Sequence, residues 1–141
     1  MARTKEQALW DGLKTAAVGR LLMHRIENTT RASMSDVIGT NHKGVSFWLE
    51  LKALHEWPKR ASTPALRGAF ESGQLGFLRE WRSWKGKGFV VLKVGSGHVA
   101  EWLLLSPAVA LDKLTTAELR SLSFVSSKED LIKFLENLDA A

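Results

Sequence analysis

The chain has 141 residues, 45% hydrophobic and 25% charged, the size and make-up of one compact globular domain. It contains no cysteine, which excludes a disulfide framework, a thiolate nucleophile and a thiolate zinc site. The formal charge of +5 is unevenly spread, with sixteen Lys and Arg against eight acids from Met1 to Ala100 and four against seven from Glu101 to Ala141.

Thr4 followed by Gln7 has the pattern of a capping box, and Leu9, Trp10, Leu13, Ala16 and Ala17 fall on one helical stripe. That predicts a helix from Lys5 to about Leu22. Glu6 lies on the stripe and has two readings: an acid that suits the positive end of the helix dipole, or a carboxylate turned inward that a cation or donor must meet. Met23 to Thr30 reads as a first strand and Arg31 to Ser33 as its turn. Asp36 then heads a second strand that Gly39 releases into the turn Asn41-His42-Lys43-Gly44, and Val45 to Lys52 is a third. The expected unit is a meander of three antiparallel strands.

Residues two apart in a strand share a face, so Glu50 and Lys52 project together while Leu49 and Leu51 bury the other side. If the second and third strands pair across their turn, Asp36 reaches the same spot. Two carboxylates can then share one divalent cation, the basis of a hydrolytic metal site. An ordinary surface ion pair is the other reading of Glu50 and Lys52.

The segment from Ala53 to Arg67 has no clean period and reads as a long connector. In it Lys59, Arg60 and Arg67 suit phosphates and Trp57 suits a base, although a merely solvated loop has the same composition. Ser72 is a candidate N-cap for a helix carrying Gln74, Leu75, Phe77, Leu78, Trp81 and Trp84, which Gly86 or Gly88 stops. Strands follow at Phe89 to Val94 and Val99 to Leu105, joined through Gly95-Ser96-Gly97. Thr115 with Glu118 and Ser127 with Asp130 match capping boxes, and Leu131, Ile132, Leu135 and Leu138 stripe a terminal helix that offers packing and no chemistry.

The basic excess accompanies the part of the chain with the carboxylates. A basic surface beside an acidic pocket suits a polyanion held by its phosphates while a cation works on one of them. Apolar runs such as Trp102 to Leu105 are too short for a membrane span and the N-terminus lacks a signal-peptide core, so a soluble intracellular protein with no membrane partner is expected. His24, His42, His55 and His98 lack metal-ligand spacing, and neither Gly95-Ser-Gly nor Gly86-Lys-Gly has the context of a phosphate loop.

The order helix with Glu6, Ser-Asp36, Glu50-Leu-Lys52 fourteen residues on, then a helix opened by Gln74, resembles the PD-(D/E)XK nuclease superfamily. Within it the chain is similar to the small Holliday-junction-resolvase-like and VRR-NUC-like enzymes, and its Leu66-Arg67 and Gln74-Leu75-Gly-Phe-Leu patterns resemble phage and bacterial members. The proline that usually precedes the aspartate is Ser35 here. The resemblance covers about Thr4 to Leu105 and implies a restriction-endonuclease-like α/β sandwich, a central mixed sheet flanked by helices, with a nuclease core over 1–105. The last third lies outside it, and the capping boxes and stripe read there make 106–141 a C-terminal helical extension of the same domain. The resemblance further implies a metal-dependent endodeoxyribonuclease selective for branched or Holliday-junction DNA, working as a homodimer in the cytoplasm of a bacterium or of a phage host. Asp36, Glu50 and the carbonyl of Leu51 would bind Mg²⁺, with Mn²⁺ able to substitute. Lys52 would serve the attacking water, Gln74 would support the site, and Glu6 would be a further acid. The competing class is a non-catalytic nucleic-acid-binding module on the same fold.

Overall fold

The computed structural model describes residues 4–26 and 34–140. Nine elements follow in order: α1 (Lys5–Ala16), β1 (Leu22–Arg25), β2 (Val37–Thr40), β3 (Ser46–Leu54), α2 (Gln74–Ser83), β4 (Lys87–Val94), β5 (Glu101–Leu105), α3 (Thr116–Leu122) and α4 (Lys128–Glu136), with short 3₁₀ turns at Gly97–Val99 and Leu111–Lys113. The strands form one sheet in sequence order, β1-β2-β3-β4-β5. Only β3 and β4 are parallel, because α2 crosses over between them; the other three pairings are antiparallel. This is the expected mixed sheet, with the expected meander as its first three strands.

Both faces of the sheet are covered, and the alternation along each strand divides the core in two. Phe47, Leu49 and Leu51 of β3 pack with Leu9, Trp10 and Leu13 of α1 and Leu131, Ile132 and Leu135 of α4. Trp48 of β3 joins Val90, Leu92, Leu103 and Leu105 under Leu78 of α2 and Leu119 of α3. Each fully buried leucine contributes about 1.5–3 kcal/mol of apolar burial. The C-terminal helices thus supply one member of each helical layer. Asn41 ties α4 down by donating from Nδ2 to the carbonyls of Leu135 and Leu138, both at 3.0 Å, in the last turn of α4 and just beyond it. Arg20 adds ion pairs to Glu129 and Glu136.

Several boundaries differ from the sequence-based expectation. Helix α1 ends at Ala16 and not near Leu22, since the chain turns there and Gly19 takes a left-handed φ of +76°. Its cap is half a box: Thr4 accepts from the Gln7 N–H at 3.0 Å, while the Gln7 side chain donates to Asp11 and accepts from Arg25. The first strand runs over Leu22–Arg25 among the described residues; the rest of the expected strand and its turn, residues 27–33, lie outside the described residues. Gly73, at φ +88°, holds the N-cap position of α2 in place of Ser72, with no side-chain cap. Gly39 sits inside β2 and is no exit to a turn, because a Cβ there would come within 2.6 Å of the Phe47 ring. The 3₁₀ turn at Gly97–Val99 delays β5 to Glu101. Among the described residues no helix is long and apolar enough to cross a membrane.

Candidate functional site

Strand β3 is longer than its neighbour β2, and the site lies where β2 begins. The last pair in their register is Val37 with Leu49, so one further step sets Asp36 opposite Glu50. Beyond that point β3 has no backbone partner on this side among the described residues. The Leu51 N–H, pointing off the open edge, donates instead to Asp36 Oδ2 at 2.9 Å. The N–H and C=O of one strand residue point to the same side, so the Leu51 carbonyl faces the same open edge. Asp36, Glu50 and the Leu51 carbonyl are brought together as the sequence predicts.

Glu50 is only 1% exposed, and its Oε1 has no hydrogen-bond partner among the described residues. Burial pushes its carboxyl group up to about 9, and the Asp36 carboxylate beside it adds to the rise, while Lys52 opposes it. A hard cation held between the two carboxylates would offset the cost of burying them. Among the described residues no three or more His, Asp or Glu side chains form a metal-holding group. Two carboxylates and one carbonyl nevertheless suit a hard, oxygen-seeking ion that keeps several of its waters, as Mg²⁺ does. The donor set fits the metal implied by the resemblance.

Lys52 projects on the same face as Glu50, two residues on. Its Nζ lies 3.4 Å from Glu50 Oε2 and donates to Gln74 Oε1 at 3.0 Å, and the side chain is 10% exposed. Gln74 Oε1 also accepts the Glu71 N–H at 2.9 Å, so the start of α2 locks onto the lysine. The site is therefore closed on one side by α2, and among the described residues the sheet edge beside Leu51 stays uncovered. E-x-K here is buried, which distinguishes it from a surface ion pair.

Glu6 is partly buried and comes within electrostatic reach of the site. Burial raises its carboxyl group above the ordinary range; Lys52 and Arg25 oppose the rise, and Asp36 and Glu71 add to it. From α1 its carboxyl group thus senses the charges of Lys52 and Asp36, and its place in the first turn also complements the helix dipole. Phe70 and Glu71 are neighbours that sequence reasoning missed. The Lys52 Nζ sits 5.0 Å from the centroid of the Phe70 ring. The only hint in the sequence is their place just ahead of Gln74.

The connector places its residues differently. Lys59, Arg60 and Arg67 are exposed and form no ion pair among the described residues. Trp57 is partly buried: its indole N–H donates to Glu101 Oε1 at 2.9 Å, and the Arg120 guanidinium lies 5.0 Å over its ring. Arg120 in turn bonds both Glu101 oxygens, at 2.8 and 2.9 Å. One face of the ring is already taken, and the cluster pins the connector to β5 and α3.

No protein-family model matches the sequence, and no curated protein matches it at a significant level. Solved structures do share the fold. Hjc, a Holliday junction resolvase from the archaeal hyperthermophile Archaeoglobus fulgidus, aligns with a TM-score of 0.52 at 14% identity, over 90% of this chain and 97% of that one. At that identity the likeness is one of fold. It agrees with the α/β sandwich that the sequence resemblance implied.

Proposed function

We propose that this protein is a Mg²⁺-dependent endodeoxyribonuclease that cuts branched DNA. The observation that carries the reading is Glu50: a buried carboxyl group with one oxygen that has no hydrogen-bond partner among the described residues, set beside Asp36 and flanked by a fixed lysine. A non-catalytic module that only holds DNA has no use for two acids facing a polyanion, one of them buried at the expense of stability.

Asp36, Glu50 and the Leu51 carbonyl would hold the cation. When bound, it supplies Lewis acidity toward a phosphate oxygen and lowers the pKa of a coordinated water. Lys52 keeps an ammonium beside that position, where it orients the attacking water and opposes the negative charge that builds on the phosphate. Gln74 holds Lys52 in place, and Glu6 adds a third acid within electrostatic reach of Lys52 and Asp36. The exposed Lys59, Arg60 and Arg67 anchor phosphates on either side of the scissile bond without reading bases, with Trp57 pinning the connector that bears them.

The fold shared with a Holliday junction resolvase supports a branched substrate, and a four-way junction calls for two active sites and hence a homodimer. The substrate would be intracellular DNA, in a bacterium or in a phage-infected cell. Incubation of supercoiled plasmid with the protein and Mg²⁺ should give nicked product, with none in chelator. A panel of duplex, flap and four-way DNA should show preference for the branched forms. Cleavage by Asp36→Asn at the wild-type rate would sink the reading.

A further inference from the structure

The long connector returns to the site just before α2, and there it places an aromatic ring against the buried lysine. We propose that Phe70 is a positioning residue for Lys52, acting through its ring face; the inference rests on the nuclease reading of the same site. Three groups surround the ammonium: Glu50 Oε2 at 3.4 Å, Gln74 Oε1 at 3.0 Å and the Phe70 ring, whose centroid is 5.0 Å away. The first two are acceptors and fix the direction of the N–H bonds. The ring adds a face of negative potential that attracts the cation and excludes water from it.

A lysine side chain has four rotatable bonds and loses much rotamer freedom when fixed. With Phe70 gone, the ammonium keeps its two acceptors but gains an open side, through which water enters and the chain can swing. The neighbouring backbone makes the arrangement a unit. Glu71, next to Phe70, donates its N–H to the Gln74 oxygen that receives Lys52, so ring, peptide and amide come from one five-residue stretch. Phe70 also packs, partly buried, against the core cluster of Trp48, Leu66 and Leu78, which fixes the ring.

Packing and ring-face attraction separate on substitution. Phe70→Leu keeps an apolar side chain of similar reach without the ring, whereas Phe70→Trp supplies a stronger one. Phe70→Leu should lower kcat by about three- to thirty-fold, the range spanned by a cation–π contact from partly to well desolvated, with KM for DNA unchanged. Phe70→Trp should recover most of the loss. A purely structural role predicts the reverse ranking, with leucine tolerated and the larger tryptophan harmful, and that result overturns the inference.

A second measurement needs neither metal nor DNA. In a double-mutant cycle of Phe70→Leu and Lys52→Met followed by urea unfolding, the two changes should couple by a factor of two or more in the unfolding equilibrium constant. Additive changes overturn the inference whatever the activity. Coupling in a wild-type protein that cuts no DNA supports the Phe70–Lys52 contact and refutes the nuclease reading, so the two fail separately.

Discussion

Glu50 holds its carboxyl group beside that of Asp36 in a position that is 1% exposed, with no hydrogen-bond partner for Oε1 among the described residues. The fold therefore keeps a strained charge balance at the point where the chemistry is proposed, and stability and activity should oppose each other there.

Glu50→Gln should separate them. The carboxamide brings a donor to the side of Asp36 and carries no charge to desolvate. Burial pushes the wild-type group up from the ordinary 4.5 to about 9 in the folded protein. Its contribution to stability is thus full below about pH 4.5 and is lost as pH rises toward 9, by at most about 1.4 kcal/mol per pH unit. The glutamine variant does not titrate. In metal-free buffer it should melt above wild type, by a margin that widens from pH 5 to pH 9, while cutting no DNA. A margin independent of pH would show that Glu50 is already ionised without cost.

The same raised group makes metal binding pH-linked. At pH 7 Glu50 is largely protonated in the metal-free protein, and a carboxylate ligand must be deprotonated. Mg²⁺ binding should release about one proton, and affinity should rise with pH until about 9. Calorimetry at pH 7 in two buffers of different ionisation enthalpy reads the released proton directly. Equal apparent enthalpies in the two buffers would rule out Glu50 as the coupled ligand.

Much of the site is legible in sequence because it is local to one strand. The separation of Glu50 from Lys52 sets a shared face whatever the rest of the chain does, and the short turn after Asn41 brings Asp36 across. What escapes is non-local. Phe70 meets Lys52 only because the connector folds back, a path that no periodicity records. Trp57 was open to a base contact until Glu101, in another strand, and Arg120, in another helix, were seen to claim it. Asn41, legible as a turn residue, gains its main role from carbonyls beyond residue 134. Gly39 was misread for the same reason, since the Phe47 ring that demands its missing side chain belongs to the neighbouring strand.

Lys52 should matter to turnover more than to affinity. Lys52→Met keeps the length of the side chain and removes its charge, leaving Glu50 without its cation and Gln74 Oε1 with one donor fewer. Turnover should fall by about 10² or more, the scale of a lost electrostatic or proton-handling group, with the Kd for DNA in Ca²⁺ nearly unchanged. A loss confined to Kd would make Lys52 a phosphate anchor.

Ser35, beside the proposed ligand Asp36, is fully buried, and its Oγ has no partner among the described residues. A buried hydroxyl without a partner costs about 1–3 kcal/mol. Ser35→Ala should therefore raise the urea midpoint, by about 1 kcal/mol in stability after the lost packing of one atom, and should leave cleavage intact. A drop in stability would mean that the hydroxyl has a hydrogen-bond partner after all.

The last prediction concerns how DNA is held. The connector leaves the end of β3, the strand that carries Glu50 and Lys52, and returns at Phe70 to the same lysine, so both its ends are anchored at or near the site. Trp57 is pinned by Glu101 and Arg120, which leaves Lys59 and Arg60, exposed and two and three residues further on, to meet phosphates. Each phosphate contact releases counterions, and for duplex DNA each one lost should flatten the slope of log affinity against log salt by about 0.9. The Lys59→Ala, Arg60→Ala double mutant should bind with a slope shallower by nearly two, equally for unrelated sequences, because such contacts position DNA without reading it. Binding is measured in Ca²⁺ across a salt series, on one duplex and one four-way junction. An unchanged slope on both would remove the connector from the DNA path. A change on the junction alone would place these two residues at the branch, where the strands diverge, and away from the arm that is cut.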